Sequence, residues 1–212
     1  MQFTKLGHAC VRLEKDGSVL VVDPGAFSGD DALAGADAVL VTHEHFDHVV
    51  PDSLRAALAE RPGLRLWAPE SVTSQFAEFG DRARAVRHGD EFTAAGFAVH
   101  VYGSEHAVIH PDIPTVPNVG FLLDGEIFHP GDSYTVPEDP VNTLLLPISG
   151  PWYSTREMID YARAVAPRRM FAIHDALLSP IGVSVAEMFA GPAAGPNNAS
   201  YTRVEPGATV DL

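Results

Sequence analysis

Val39-Leu40-Val41-Thr42-His43-Glu44-His45-Phe46-Asp47-His48 is the stretch that decides the reading of this chain. A β-branched, apolar run ends in a burst of imidazole and carboxylate. A strand therefore stops where the candidate ligands start, and a rigid scaffold holds the loop that carries them. His43, His45, Asp47 and His48 place three imidazoles and one carboxylate within six positions, a donor set that suits a borderline metal such as zinc. One ion cannot comfortably take all four from so short a loop. His43 and His45, two apart in extended backbone, point the same way, while Asp47 and His48 turn toward a second ion. The plain alternative is a solvated, histidine-rich turn, since the chain has ten histidines in 212 residues. The ordered spacing at a strand end argues against a chance cluster.

The pattern H-x-H-x-D-H after an apolar strand and Thr42 resembles the metallo-β-lactamase superfamily, and further stretches extend the resemblance in family order. Val19-Leu20-Val21-Val22-Asp23-Pro24-Gly25 looks like the earlier strand that ends in an aspartate. Gly103-Ser104-Glu105-His106 looks like the strand end that carries the next histidine. Phe128-His129-Pro130-Gly131-Asp132-Ser133 looks like the Gly-Asp turn, and Phe171-Ala172-Ile173-His174 like the strand supplying the last histidine. The opening Leu6-Gly7-His8-Ala9-Cys10 is similar to the small-hydrolase branch that includes ascorbate-6-phosphate lactonase.

The resemblance implies an α/β (α+β) fold, a four-layer αββα sandwich, formed as a single domain by residues 1–212. It implies that His43, His45 and His106 hold one metal, that Asp47, His48 and His174 hold the other, and that Asp132 bridges them. Two divalent ions follow, zinc first, with manganese, iron and nickel left open because ligand type selects weakly among them. The implied activity is that of a metal-dependent hydrolase whose bound hydroxide cleaves a small ester, lactone or phosphorylated metabolite. Asp47 would orient the hydroxide or take its proton, and Asp132 would join it as a catalytic residue through its bridging role. The flavodiiron branch has glutamate where this chain has His45, so hydrolysis is the better reading. The alternatives are a nuclease or phosphodiesterase of the same superfamily, a β-lactamase proper, or a non-catalytic metal-binding protein that kept the fold. The segment between Asp132 and His174 is too short for the large β-CASP insertion.

Composition narrows the partners. A 46% hydrophobic content over 212 residues can bury a real core. A formal charge of −14 opposes non-specific attraction to phosphate backbones, so no nucleic acid is expected as a partner. Cys10 is the only cysteine, which excludes an intrachain disulfide and suits a reducing cytosol. The start of the chain lacks the apolar core of a signal peptide, and no run reaches membrane-span length. The expectation is a cytoplasmic enzyme with a small-molecule substrate and no membrane association; homo-oligomerisation stays open.

Periodicity predicts strands over 3–6, 10–14, 19–22, 64–68, 97–102, 120–123, 127–128, 143–146 and 170–173, with Asp-Gly hairpins at Asp16 and Asp124. A helix capped by Asp52 or Ser53 should run to Arg61, a second should cover 70–79, and a capping box at Ser154 should open a third. Residues 191–198 read as a flexible connection, and 201–204 with 209–212 as a last strand pair. Among the other histidines, His106 is favoured over His110 as the ligand because it directly follows a strand and its Gly-Ser turn. His110 is then a substrate contact, a general acid or a plain loop residue. His8 stays open between a role near the metals and a structural histidine bonded to backbone. Asp23 is expected to orient a ligand loop, with a plain Asp-Pro turn as the alternative. His129 is expected to be structural and His88 a surface turn residue, while His100 is unassigned. Asp175 is open between supporting the site and lying in solvent. Trp152, Tyr153 and Tyr134 are candidates for a pocket wall, with loop packing the plainer account of at least two.

Overall fold

The structure, a computed structural model, describes residues 1–191, 193–194 and 199–212. In chain order its elements are β1 (Gln2–Gly7), β2 (Cys10–Lys15), β3 (Ser18–Val22), β4 (Ala38–Leu40), α1 (Pro51–Glu60), β5 (Arg65–Ala68), α2 (Glu70–Thr73), β6 (Ala83–Ala85), β7 (Glu91–Ala94), β8 (Phe97–Tyr102), β9 (Gly120–Leu123), β10 (Ile127–His129), β11 (Thr143–Pro147), α3 (Thr155–Val165), β12 (Arg169–Ile173), α4 (Pro180–Ala190), β13 (Ser200–Thr202) and β14 (Thr209–Asp211). They build two seven-stranded sheets, ordered β14-β1-β2-β3-β4-β5-β6 and β13-β12-β11-β10-β9-β8-β7.

Strand alternation explains the layers. In β3, Leu20 and Val22 face the second sheet while Val19 and Val21 face the helices. In β12, Phe171 and Ile173 point inward, whereas Met170 and Ala172 point to α3 and α4. The middle of the molecule is thus a sheet-on-sheet core that includes Phe3, Leu13, Leu40, Phe97, Phe121 and Phe171. Leu54, Leu58 and Phe76 cover one outer face, and Met158, Tyr161 and Ala162 cover the other. This is the αββα sandwich expected from the sequence.

Strand direction then gathers the loops. β3, β4 and β5 run parallel in one sheet, as do β10, β11, β12 and β13 in the other. β1 and β8 share those directions through their antiparallel neighbours β2 and β9. The C-terminal ends of β1, β4, β8, β10 and β12 therefore open on one edge of the sandwich, and every candidate ligand follows one of them.

Several local expectations are corrected. Helix α1 starts at Pro51 after Val50, with no side-chain cap; Asp52 and Ser53 lie inside its first turn. Proline serves at that position because its ring presets φ and it has no N–H to satisfy. The helix expected over 70–79 makes one turn and continues as 3₁₀ to Arg82, with non-helical backbone at Phe76 and Gly80. Phe76 is fully buried there, so packing overrides local propensity. The short strands β6 and β7 and the helix α4 were not anticipated. The two last strands do not pair with each other: β13 joins β12, and β14 joins β1 at the opposite end of the chain. Most of the flexible connection expected over 191–198 lies outside the described residues, since 192 and 195–198 are not among them. Ser154 does cap α3, accepting from the Glu157 amide at 3.3 Å.

Candidate metal centre

Four of the candidate ligands leave β4 in a turn closed by the His48 and Val49 amides on the His45 carbonyl. His106 follows β8, Asp132 follows β10, and His174 follows β12 directly. All seven converge. His43, His45, His106 and Asp132 place one donor atom each within 4.8 Å of one another, and His8, Asp47, His48 and His174 form a second such group. Asp132 touches both groups: its Oδ2 is 3.3 Å from His106 Nε2 and 3.0 Å from His174 Nε2, and its Oδ1 is 3.1 Å from His48 Nε2. His110 stays outside, exposed, with its Nδ1 accepting from the Asp112 amide.

The surroundings fix which imidazole nitrogen is free. Asp23 accepts from the Thr42 amide, from Thr42 Oγ1 and from His48 Nδ1, each at 2.7 Å. With its proton on Nδ1, His48 turns the Nε2 lone pair into the centre. The Thr42 hydroxyl, having donated to Asp23, accepts from His43 Nδ1 at 3.0 Å, and His106 Nδ1 donates to the Ala107 carbonyl. His48 Nε2, His106 Nε2, His174 Nε2 and Asp132 Oδ1 are buried and have no hydrogen-bond partner among the described residues. Buried polar atoms are costly unless something satisfies them. The close contacts to Asp132 are not aligned as hydrogen bonds, so these atoms are left presenting lone pairs to a common space. That donor set fits divalent cations.

Electrostatics agree. Burial alone would raise the Asp132 carboxyl, but the charge of His48 and the close imidazoles of His106 and His174 hold it well below the carboxylate range. Burial likewise disfavours charge on His48, yet Asp132 and Asp23 keep it well above the usual imidazole value. His43, buried and next to His48, falls well below that value.

Gly25 and Gly131 are demanded by close approach. A Cβ on Gly25 would lie 1.9 Å from the Asp47 carbonyl oxygen. One on Gly131, where φ is +64°, would lie 2.3 Å from Asn118 Oδ1. His8, Asp23 and His174 take left-handed backbone without being glycine, at about 1–2 kcal/mol each, so the fold spends stability to aim them.

The remaining expectations sort clearly. Asp23 supports the ligand loop, as described. His129 is structural: it is fully buried, bonded to the Ala9 carbonyl at 2.8 Å and accepting from the Gly131 amide at 3.1 Å. Asp175 is buried, not solvated, with Lys5 and Arg203 both 2.7 Å from its Oδ2. His88 accepts from the Gly103 amide, and His100 lies on the outer side of β8 against Asp139. His8 is both things at once. Its Nδ1 accepts from the Ala176 amide at 3.3 Å, so Nε2 carries the proton and donates to Asp47 Oδ2 at 3.2 Å.

Two residues matter more than the sequence showed. Trp152 is buried and donates its indole N–H to Asp132 Oδ2 at 2.9 Å, so it is neither a pocket wall nor plain packing. Asn118 is fully buried, accepts from the Asp132 amide and donates to the Pro130 carbonyl, both at 3.0 Å. A conspicuous aromatic beside Gly150-Pro151 was the only hint of the first; a lone asparagine in a loop gave none of the second.

Comparison with known proteins places the chain. A family described as "Beta-lactamase superfamily domain" matches residues 2–174. Protein Rv0786c of Mycobacterium tuberculosis is 39% identical, over 85% of this chain and 86% of its own length. A UPF0173 metal-dependent hydrolase of Flavobacterium johnsoniae is 28% identical over 68% of this chain and 69% of its own. Among solved structures, Igni18, a metallo hydrolase from Ignicoccus hospitalis, superposes with a TM-score of 0.74 at 19% identity, covering 99% of this chain and 97% of Igni18.

Proposed function

The chain belongs to the metallo-β-lactamase superfamily, and we propose that within it His43, His45, Asp47, His48, His106, Asp132 and His174 would hold two divalent ions in an enzyme that hydrolyses a small molecule. It is a metal-dependent hydrolase. The observation that carries the two-ion reading is the set of buried donor atoms left unpaired around Asp132, which lies within 3.3 Å of imidazoles from both groups. Imidazole-rich donors suit zinc best, which we take as the resident metal. Bound there, two such ions would supply Lewis acidity, lowering the pKa of a water toward about 7 and polarising the bond to be cut.

The protein's own residues do the positioning. His43, His45 and His106 would hold one ion, Asp47, His48 and His174 the other, and Asp132 would offer its carboxylate to both. A neutral imidazole has one free lone pair, whereas a carboxylate has two oxygens and a negative charge that would offset the two cations. Asp47 is the less buried of the two carboxylates, its side chain 13% exposed. Burial would raise its pKa, but the His8 hydrogen bond and the charge of His48 hold it down to about 2. A carboxylate that weakly basic is suited to orient the attacking water more than to keep its proton. His8 in turn fixes Asp47.

No described helix is long and apolar enough to cross a membrane. We read residues 1–212 as one domain acting in the cytoplasm, in keeping with a single, buried Cys10. The test is a panel of esters, lactones, thioesters, phosphodiesters and β-lactams on the zinc-reconstituted protein. Turnover should appear with zinc, vanish with chelator and return on re-addition. Turnover unaffected by chelation would sink the reading.

A further inference from the structure

The candidate ligands are unequally buried. His43, His48, His106, Asp132 and His174 are buried, whereas His45 and Asp47 are half-buried. Phe46 stands between those two in sequence and is 65% exposed. Phe27 packs edge-on against it, with ring centroids 5.6 Å apart, and edge-on against His8 at 5.2 Å. An exposed aromatic pair at the mouth of a buried polar site is an unusual use of surface.

The charge at this edge is equally one-sided. The connections that carry or adjoin the ligands are residues 8–9, 23–37, 41–50, 103–119, 130–142, 148–154 and 174–179, and none contains a lysine or arginine, although the chain has 14. Lys5 and Arg203 are both bound to Asp175, the residue after His174. Glu44 and Glu105, one beside His43 and one beside His106, are exposed. A phosphorylated substrate would find acidic groups and no lysine or arginine in these loops, the side chains that most often recognise phosphate.

We propose that the substrate is an uncharged carboxylic ester, lactones included, whose apolar arm lies on Phe46 and Phe27 while its carbonyl reaches the centre. This rests on the hydrolase reading above and narrows it. In the reaction, water oxygen bonds to the acyl carbon, the bond from that carbon to the alcohol oxygen breaks, and one water proton passes to the alcohol. No other reactant is consumed. Phe46 and Phe27 set specificity by covering apolar surface; the phosphate class is disfavoured by the acidic, lysine- and arginine-free rim.

The experiment uses zinc-loaded full-length protein with p-nitrophenyl acetate, butyrate, hexanoate and octanoate, and with p-nitrophenyl phosphate and bis(p-nitrophenyl) phosphate. We expect kcat/KM to rise about two- to fourfold per added methylene over the first few, as partial to full burial of a CH₂ gives, and to exceed that for both phosphoesters. Phe46→Ser should flatten the series, falling most for octanoate; with its side chain so exposed, this variant should fold, and Phe27→Ser is the second probe. A flat series in the wild type, or faster phosphoester cleavage, overturns the inference and leaves the hydrolase standing. Calorimetric binding of octanoate and acetate gives a readout without turnover. Tighter octanoate binding that depends on Phe46, with no ester cleaved, supports the apolar shelf and counts against hydrolysis; no preference and no turnover would overturn both.

Discussion

Replacing Trp152 by phenylalanine removes one hydrogen bond and little else. The indole N–H lies 2.9 Å from Asp132 Oδ2 at a buried position, and its acceptor is held ionised by the imidazoles around it. A hydrogen bond to a charged group contributes about 1.5–3 kcal/mol. If that loss falls on the metal-loaded state, affinity drops by roughly one to two powers of ten. Groups that orient a metal ligand typically cost ~10–100-fold when lost, which agrees. The phenyl ring keeps the edge contacts of Trp152 with Tyr134 at 5.2 Å and with His106 at 5.9 Å, so packing should largely survive. The assay is zinc titration against a chromophoric chelator, with thermal unfolding of the zinc-free protein as the control for packing. We expect weaker zinc binding and a nearly unchanged unfolding midpoint. Wild-type zinc affinity in Trp152→Phe would show that the indole merely fills space. A large fall in the midpoint with unchanged affinity would refute the argument equally.

Three further outcomes follow from the same geometry. His106→Ala should lower zinc occupancy and hydrolysis together, whereas His110→Ala should leave occupancy intact; elemental analysis after reconstitution separates the two, and the reverse pattern would move the ligand four residues along. Gly25→Ala forces a Cβ to within 1.9 Å of the Asp47 carbonyl oxygen, so the ligand loop must shift, at about 1–3 kcal/mol or more; chemical denaturation at unchanged stability would contradict it. Asp132 and Asp23 push the His48 imidazole above its usual value, and zinc needs its Nε2 lone pair, so zinc uptake should release protons and weaken as pH falls. Calorimetry in buffers of different ionisation enthalpy reads that release, and uptake with no proton released in the wild type would refute it.

The central features were legible because they are periodic or local. Alternation in β8 and the continuous apolar runs of β3 and β12 announce strands, and the ligand burst after β4 marks a strand end. Asp23 could be read as a support because its strand resembles a known one. Other features depend on contacts far apart in the chain. Trp152 meets Asp132 across 20 positions, His8 meets Ala176 across 168, and β14 joins β1 from the opposite end of the chain. No local pattern encodes such pairings. The helix expected over 70–79 broke because burying Phe76 outweighed the helix-forming residues around it. The sequence leaves Asp175 open between supporting the site and lying in solvent; Lys5, reaching it from β1, pairs with it in a buried position. Helix α4 was missed although its start carries a Ser179 cap and Pro180, since its apolar composition lacks a clear polar face.

The number of ions bound per chain tests the account most directly. Reconstituted with zinc, freed of excess metal and measured by elemental analysis against protein concentration, the wild type should hold two. Asp132→Asn keeps the shape of the shared side chain but weakens its charge, so occupancy should fall at both sites, with turnover at least ~10²-fold lower. Saturation at one ion per chain, with Asp47 and His174 replaceable at no loss of metal and Asp132→Asn binding normally, would contradict the two-ion centre.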